Sequence, residues 1–232
     1  MKRSKVLAAS GNHGGSREPE QILYLIIHYT GNDGDKAINN AKYYRNTVVK
    51  ASAHYFVDDE EIVQSVEDLT VAWAVGGKKW SDTGKTGGGT MHGKITNTNS
   101  ISVELCDTMR NGKYEASEKT LENAVVLCRE LMERYKIPME NVYRHFDVSG
   151  KHCPAYFMEE EAWQAFKKRL EGNTVVYKYL KDVPEKFRPI IETLMDAGII
   201  QGDGSDREGN GDVINLSHEQ VRTLVFVPWR RF

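Results

Sequence analysis

Six consecutive apolar or aromatic residues ending in a histidine, ILYLIIH at residues 22–28, constrain this chain more than any other feature. The run has strand length rather than helix length. Because it does not alternate with polar residues, both of its faces must be covered, as in an inner strand of a sheet flanked by helices. Such a strand needs further strands beside it and amphipathic helices above and below. SAHYFV and EIVQSV flank an acidic turn at residues 58–61 and predict a β-hairpin, and SISVELC at residues 100–106 predicts another strand. Asp35 is placed to cap a helix over about residues 36–48. Ser117 is placed to cap a second helix, whose apolar stripe is Leu121, Val125, Leu127, Cys128, Leu131 and Met132 and which Pro138 stops. NVYRHFDVSGKHCP reads as a short strand leading into a loop, and residues 158–170 as a further helix. The expected fold class is α/β: a central mixed, mostly buried β-sheet flanked by helices, with a small helical C-terminal module.

Domain boundaries follow from where these patterns stop. Residues 1–171 form the expected first domain, beginning with an irregular lead-in of about twenty residues. Inside it lies a long Gly-rich stretch, GGKKW and GKTGGGTMHGK, of a kind that is usually functional in a compact domain. GNTVVYKYL hands over to a second unit, residues 172–232. There Pro184 marks a helix start, and Phe187, Ile190, Ile191, Leu194 and Met195 recur at helical spacing. Gly198 ends that helix, GDGSDREGNGD is a turn, and Ser217 with Gln220 forms a capping box for a last helix that Pro228 closes. The expectation is a helix–loop–helix module, small enough to lean on the first domain or on a partner.

Composition removes several partners. Among 232 residues, 31 Lys and Arg stand against 33 Asp and Glu, a net charge of −2, which leaves no basic excess to hold a phosphate backbone. The balance is alike in both parts, with 8 basic and 9 acidic residues from Gly172 onward. No apolar stretch approaches a membrane span, so membrane insertion is not expected. MKRSKVLAAS has an apolar core of only four residues, shorter than a signal peptide requires, so synthesis in the cytoplasm without such a peptide is the expectation. Three cysteines, Cys106, Cys128 and Cys153, are too few and too odd in number for a disulfide framework, and reduced thiols are expected.

Three residues have metal-ligand chemistry. His28 ends the buried strand, and His145 and Cys153 lie eight positions apart across a turn containing Gly150. Two imidazoles and a thiolate would hold a tetrahedral zinc ion with one position open, the arrangement of catalytic zinc. On residue types alone the plainer reading stays open: a strand-end His in a structural hydrogen bond and a buried Cys acting as a small hydrophobe.

IIHYTGNDGD, SAHYFVDD, NTNSISVELC and RHFDVSGKHCP occur in this order. Together they resemble the type 2 N-acetylmuramoyl-L-alanine amidases, a family that includes phage lysozyme-type amidases, bacterial endolysins and animal peptidoglycan-recognition proteins. The resemblance covers about residues 24–170. It implies a zinc-dependent hydrolase that cuts the amide between N-acetylmuramic acid and L-alanine in peptidoglycan, with His28, His145 and Cys153 as ligands. It places the family's catalytic glutamate on Glu104, which passes a proton from the attacking water to the leaving amine. Lys151 matches a lysine facing the scissile carbonyl oxygen. Without the motif, Glu104 would read as a strand-edge charge paired with a Lys, and Lys151 as a solvated loop residue.

Other positions carry less. Some phage members have tyrosine where this chain has His54. That residue either donates to the substrate carbonyl or orients another group. Tyr55 points to the opposite strand face and is expected in the core. Asp147 is a candidate acceptor for a ligand histidine, or an ordinary turn residue. Trp73 is expected to line the substrate groove, and the neighbouring Ala74 departs from the histidine of many relatives. Cys106 and Cys128 are expected to be packed thiols, and His13, His92, His152 and His218 have no motif support. The function read from the resemblance is a bacteriolytic endolysin that reaches the cell wall after holin-type release. The alternatives are a peptidoglycan-binding module that does not cut, a cytosolic muropeptide-recycling amidase, and a thiol hydrolase using Cys153 and His145.

Overall fold

The computed structural model describes residues 1–171, 176–200, 213–217, 220–221 and 224–225. The chain divides into two compact units, Met1–Leu170 and Glu171–Phe232. In chain order the first unit contains β1 (Lys2–Lys5), β2 (His13–Ser16), β3 (Tyr24–Asp33), α1 (Ala37–Asn46), β4 (Tyr55–Val57), β5 (Glu61–Gln64) and β6 (Thr70–Ala72). It continues with α2 (Thr83–Thr86), β7 (Ser100–Arg110), β8 (Lys113–Glu115), α3 (Glu118–Tyr135), β9 (Val142–Arg144), α4 (His145–Ser149) and α5 (Glu160–Glu171). The second contains β10 (Val176–Tyr179), α6 (Arg188–Asp196) and β11 (Val213–Ser217).

The apolar run becomes the first half of β3, an inner strand of the main sheet. The main sheet runs β1-β5-β4-β7-β3-β9, with β8 turning back along β7. β3 lies parallel to β7 on one side and to β9 on the other, while β4 and β5 form the expected antiparallel hairpin. The sheet is therefore mixed. Residues in register share a face, so His28, Glu104 and Phe56 project to one side. Ile27, Val103 and Tyr55, one position earlier, project to the other.

Each face has its own cover. Ile27, Tyr55, Val103 and Leu105 pack with Leu127, Cys128 and Leu131 of α3 and with Trp163, Phe166 and Leu170 of α5. On the opposite face Phe56 and Cys106 meet Ala37 and Ala41 of α1, and Ile26 meets Val148 of α4. Each large side chain so buried contributes about 1.5–3 kcal/mol of transfer free energy. Cys128 and Cys106 are packed thiols, and all three cysteines are unpaired.

Three local expectations need correction. β3 does not end at His28 but runs to Asp33, because Gly31, at φ +66°, bends the strand without breaking it. The ladder to β7 shifts between Tyr29 and Asp33. Asp35 does not cap α1; its side chain accepts from Asn40 and from the Asp107 amide. The helix starts at Ala37, whose N–H donates to Asp58 of the β4–β5 turn at 2.9 Å. His145 lies on a five-residue helix, α4, rather than in a loop. The Ser117 cap is as expected, accepting from the Thr120 amide at 3.0 Å.

The second unit has a small core of Tyr177, Val183, Phe187, Ile191, Leu194, Ile214 and Val221. Here helix–loop–helix was incomplete, since β10 and β11 pair antiparallel. The helix begins at Arg188 rather than at Pro184, whose carbonyl instead closes a turn by accepting from Phe187. Gly198 takes the left-handed conformation at φ +69° just beyond α6, and Ser217 and Gln220 make both bonds of the capping box. The 202–212 turn, Pro228 and His218 lie outside the described residues. Among those residues no helix is long and apolar enough to cross a membrane.

Candidate metal centre

Sheet register brings the chemistry together. His28 and Glu104 are directly paired neighbours on β3 and β7. Arg144, the last residue of β9, pairs with Ile27, so His145, the next residue, comes level with His28. α4 makes one turn and a half and ends at Gly150, which takes the left-handed conformation at φ +85°. The chain then returns, and the Phe146 amide donates to the Cys153 carbonyl at 2.9 Å. This brings Cys153 back beside the residue that began the helix.

His28, His145 and Cys153 each offer a ligand atom within 4.8 Å of the other two. The two imidazole rings lie 4.6 Å apart and all three residues are buried. His28 Nε2 and His145 Nδ1 have no hydrogen-bond partner. Leaving a buried polar atom unpartnered costs about 1–3 kcal/mol, so two of them on neighbouring rings mark a place built for something else. Burial lowers both histidine pKa values, His145 to about 4, with the Lys151 charge adding to each, so both rings are neutral and ligand-ready near pH 7. Burial pushes the Cys153 thiol up, and the Glu104 charge adds to that; the Tyr29 amide and Lys151 pull the other way. A thiol so placed ionises when a cation is beside it. The donor set, two neutral imidazoles and a thiol, fits a four-coordinate zinc ion with one position left for a substrate or water.

Glu104 lies at the edge of this group. Its Oε1 is 3.8 Å from His28 Nδ1 and its Oε2 has no partner. Burial pushes its pKa up to about 8 against the pull of Lys151, with Asp107 and Asp35 adding to the rise. Lys151 is exposed, and among the described residues its charge bears on His28, His145, Glu104 and Cys153 alike.

His54 is buried against its neighbours. Both of its ring nitrogens are committed: Nδ1 accepts from the Ser102 amide at 3.1 Å, and Nε2 lies 3.1 Å from the Thr70 carbonyl. Arg17 packs 2.9 Å from the same Nε2, and burial with that charge lowers the His54 pKa to about 3. The residue is a neutral, fully buried strut. Asp147 likewise serves α4, accepting from the Arg144 amide and guanidinium rather than from a ligand histidine. Trp73 is half-buried. Its amide donates to Ser52, and its indole lies beside Gly14. His13 and His92 contact backbone carbonyls, and His152 meets the Phe146 ring edge-on.

Sequence reasoning missed several neighbours. Arg17 is buried and donates to the carbonyls of Asp68, Thr98 and Ser100, stitching the lead-in to the start of β7. Its only sequence surroundings are GGSREPE, which carry no periodic signal. The Tyr29 backbone amide points at the Cys153 sulfur. Tyr156 has a buried hydroxyl without a partner. The Gly-rich loop, residues 76–93, docks directly on α4: the Trp80, Gly89 and Met91 amides donate to the Ser149, Phe146 and Asp147 carbonyls.

A mixed sheet between helical layers carries a His–His–Cys cluster able to hold a metal ion, with a carboxyl beside it, the donor set of a metal-dependent hydrolase. Comparison with known proteins gives that class a family. Residues 18–156 match the model described as N-acetylmuramoyl-L-alanine amidase, and the chain belongs to that family. The N-acetylmuramoyl-L-alanine amidase CwlA of Bacillus subtilis (strain 168) is 30% identical over 155 residues, covering 66% of this chain and 51% of the relative. The chain therefore spans about half the length of the curated relatives it matches. Among solved structures, the PlyG catalytic domain superposes with a TM-score of 0.58 at 30% identity, covering 75% of this chain and 96% of that one. The catalytic domain of XlyA gives 0.56 at 27% identity, covering 73% and 99%.

Proposed function

We propose that this chain hydrolyses the amide between N-acetylmuramic acid and L-alanine in peptidoglycan, with zinc held by His28, His145 and Cys153. The convergence of three buried ligand atoms beside Glu104, whose Oε2 is unpartnered, carries the reading. When bound, zinc would supply Lewis-acid polarisation of the scissile carbonyl and lower the pKa of the attacking water. Glu104 then has the chemistry left over. Its Oε2 is unpartnered, and its raised pKa suits a group that takes a proton from water and returns it to the leaving amine. Lys151 Nζ has no carboxylate partner among the described ion pairs, so its charge is available to the developing oxyanion. His54 supports this machinery through Ser102 at the start of the Glu104 strand, as a positioning residue.

The thiol-hydrolase alternative is disfavoured, because Cys153 is almost fully buried and its thiol is pushed up rather than activated. The presence of all three ligands disfavours a module that binds without cutting. Residues 172–232 complete the proposal as a wall-binding or self-associating unit, and the cell wall as the site of action. Mass analysis of digested peptidoglycan tests the class: the product should be free stem peptides with an N-terminal alanine, and a chelator should stop their release. Glu104→Gln should keep the metal and lose about 10²–10⁴-fold in kcat. A cut within the glycan strand, or full activity after chelation, would overturn the reading.

A further inference from the structure

The Gly-rich loop has a charge pattern that the reaction itself leaves unused. Residues 76–94 contain four lysines, Lys78, Lys79, Lys85 and Lys94, against one carboxylate, Asp82. The remainder of the chain is acidic, with 27 Lys and Arg against 32 Asp and Glu. None of the four lysines belongs to an ion pair among the described residues. The loop is nonetheless held in place against α4. The Trp80 amide donates to the Ser149 carbonyl at 2.8 Å, and the Gly89 amide to the Phe146 carbonyl at 2.9 Å. The stem of Lys79 lies across Gly89 so closely that a Cβ there would fall 2.8 Å from Lys79 Cε. Lys78 and Lys79 are exposed, and the Trp80 ring beside them stays 49% exposed although its backbone is pinned one residue before Gly150. An uncovered indole and two unpaired cations, fixed next to the segment that carries Lys151 and Cys153, are arranged to meet something that arrives.

We propose that Lys78 and Lys79, with Trp80 as an apolar surface beside them, form a wall of the substrate groove that holds the carboxylates of the stem peptide. The inference rests on the amidase reading. A stem peptide is the part of such a substrate that bears negative charge at a distance from the scissile amide, and the wall supplies the opposite charge at a distance from the metal cluster. Exposed pairs of this kind are individually weak and screened by salt, so they tune binding rather than the chemical step.

The test uses the full chain with two soluble muropeptides, one with free carboxylates and one with those groups amidated. For the free-carboxylate substrate, Lys78→Ala/Lys79→Ala should raise KM about three- to tenfold, with kcat within about twofold. The difference from the unaltered protein should close in about 0.5 M NaCl and should be absent on the amidated substrate. Trp80→Ala should raise KM on both substrates alike, since an apolar contact is indifferent to the charge. An unchanged KM on the free-carboxylate substrate overturns the proposal. So does a rise that persists on the amidated substrate or in salt, which would mean a packing role, and so does a collapse of kcat. If the unaltered protein cuts neither substrate, the amidase reading has failed, which is visible before any variant is compared, and the wall falls with it.

Discussion

Asp107 is buried, and the fold satisfies half of it. Its Oδ2 accepts from the Gly31 amide at 3.1 Å, while Oδ1 has no partner. Burial pushes its pKa up to about 7, with the Gly31 bond opposing and Asp35 adding to the rise. The sign of the linkage follows. An unfolded carboxyl titrates near its ordinary value of 3.8, so above that pH the folded chain holds the proton more tightly. The stability Asp107 contributes is fully present below about pH 4 and is lost as pH rises through about 7. At 1.36 kcal/mol per pKa unit the loss is bounded by ~4 kcal/mol. Asp107→Asn keeps an acceptor for Gly31 and removes the charge. It should therefore stabilise the metal-free protein at pH 8 by about 1–2 kcal/mol, or roughly 3–6 °C in Tm, and leave it unchanged at pH 4. Thermal melts at the two pH values check this, and a lower Tm at pH 8 would mean that the fold needs the charged form. His54 and His145 run the other way: their lowered pKa values make stability fall as pH drops from 6.5 through about 4 and 3.

Among the elements, α4 and the loop docked on it hold the site's geometry, and Gly150 is where they touch. A Cβ at Gly150 would lie 2.3 Å from Thr83 Cγ2 of α2, and the backbone there is left-handed at φ +85°. Gly150→Ala should thus cost about 1–3 kcal/mol and lift the loop from α4, opening residues 76–93 to protease. Gly84→Ala, a substitution in the same short helix with nothing within 4 Å, serves as the control and should change neither. Limited proteolysis of the two variants decides it; equal cleavage would mean that the loop is not held through this contact. What could be read without coordinates divides along the same line. The inner strand, the hairpin and the Ser117 cap depend on local pattern, and the structure has them. The extension of β3 through Gly31, the capping of α1 by Asp58 and the burial of His54 against Arg17 depend on partners dozens of residues away. No spacing rule reports such partners. His28, His145 and Cys153 lie between these cases, since on residue type alone they were scattered ligands, and only register and the α4 return bring them within 4.8 Å.

At the scale of the whole molecule, each unit has a core of its own. The first unit packs both faces of the main sheet, and the last large members of its largest core, Trp163, Phe166 and Leu170, lie on α5 before the division at residues 170 and 171. The second closes on itself through Tyr177, Phe187, Ile191, Leu194 and Ile214. Every ligand and proton-handling residue proposed here belongs to the first unit, and the family match at residues 18–156 stays inside it. The β10–β11 pairing was invisible to a helical-spacing argument because strands of four and five residues carry too little periodicity to register. A protein that ends at residue 171 should therefore keep the large core intact. It should melt within about 2 °C of the first transition of the full chain, bind one zinc ion, and cleave a soluble muropeptide with kcat within about twofold. Its retention on sedimented cell walls should fall, or its mass in solution should drop from an oligomer to a monomer. Unaltered wall retention together with an unaltered oligomeric state would remove the proposed role of residues 172–232. Loss of zinc or of soluble-substrate cleavage would instead show that the first unit does not complete its site alone.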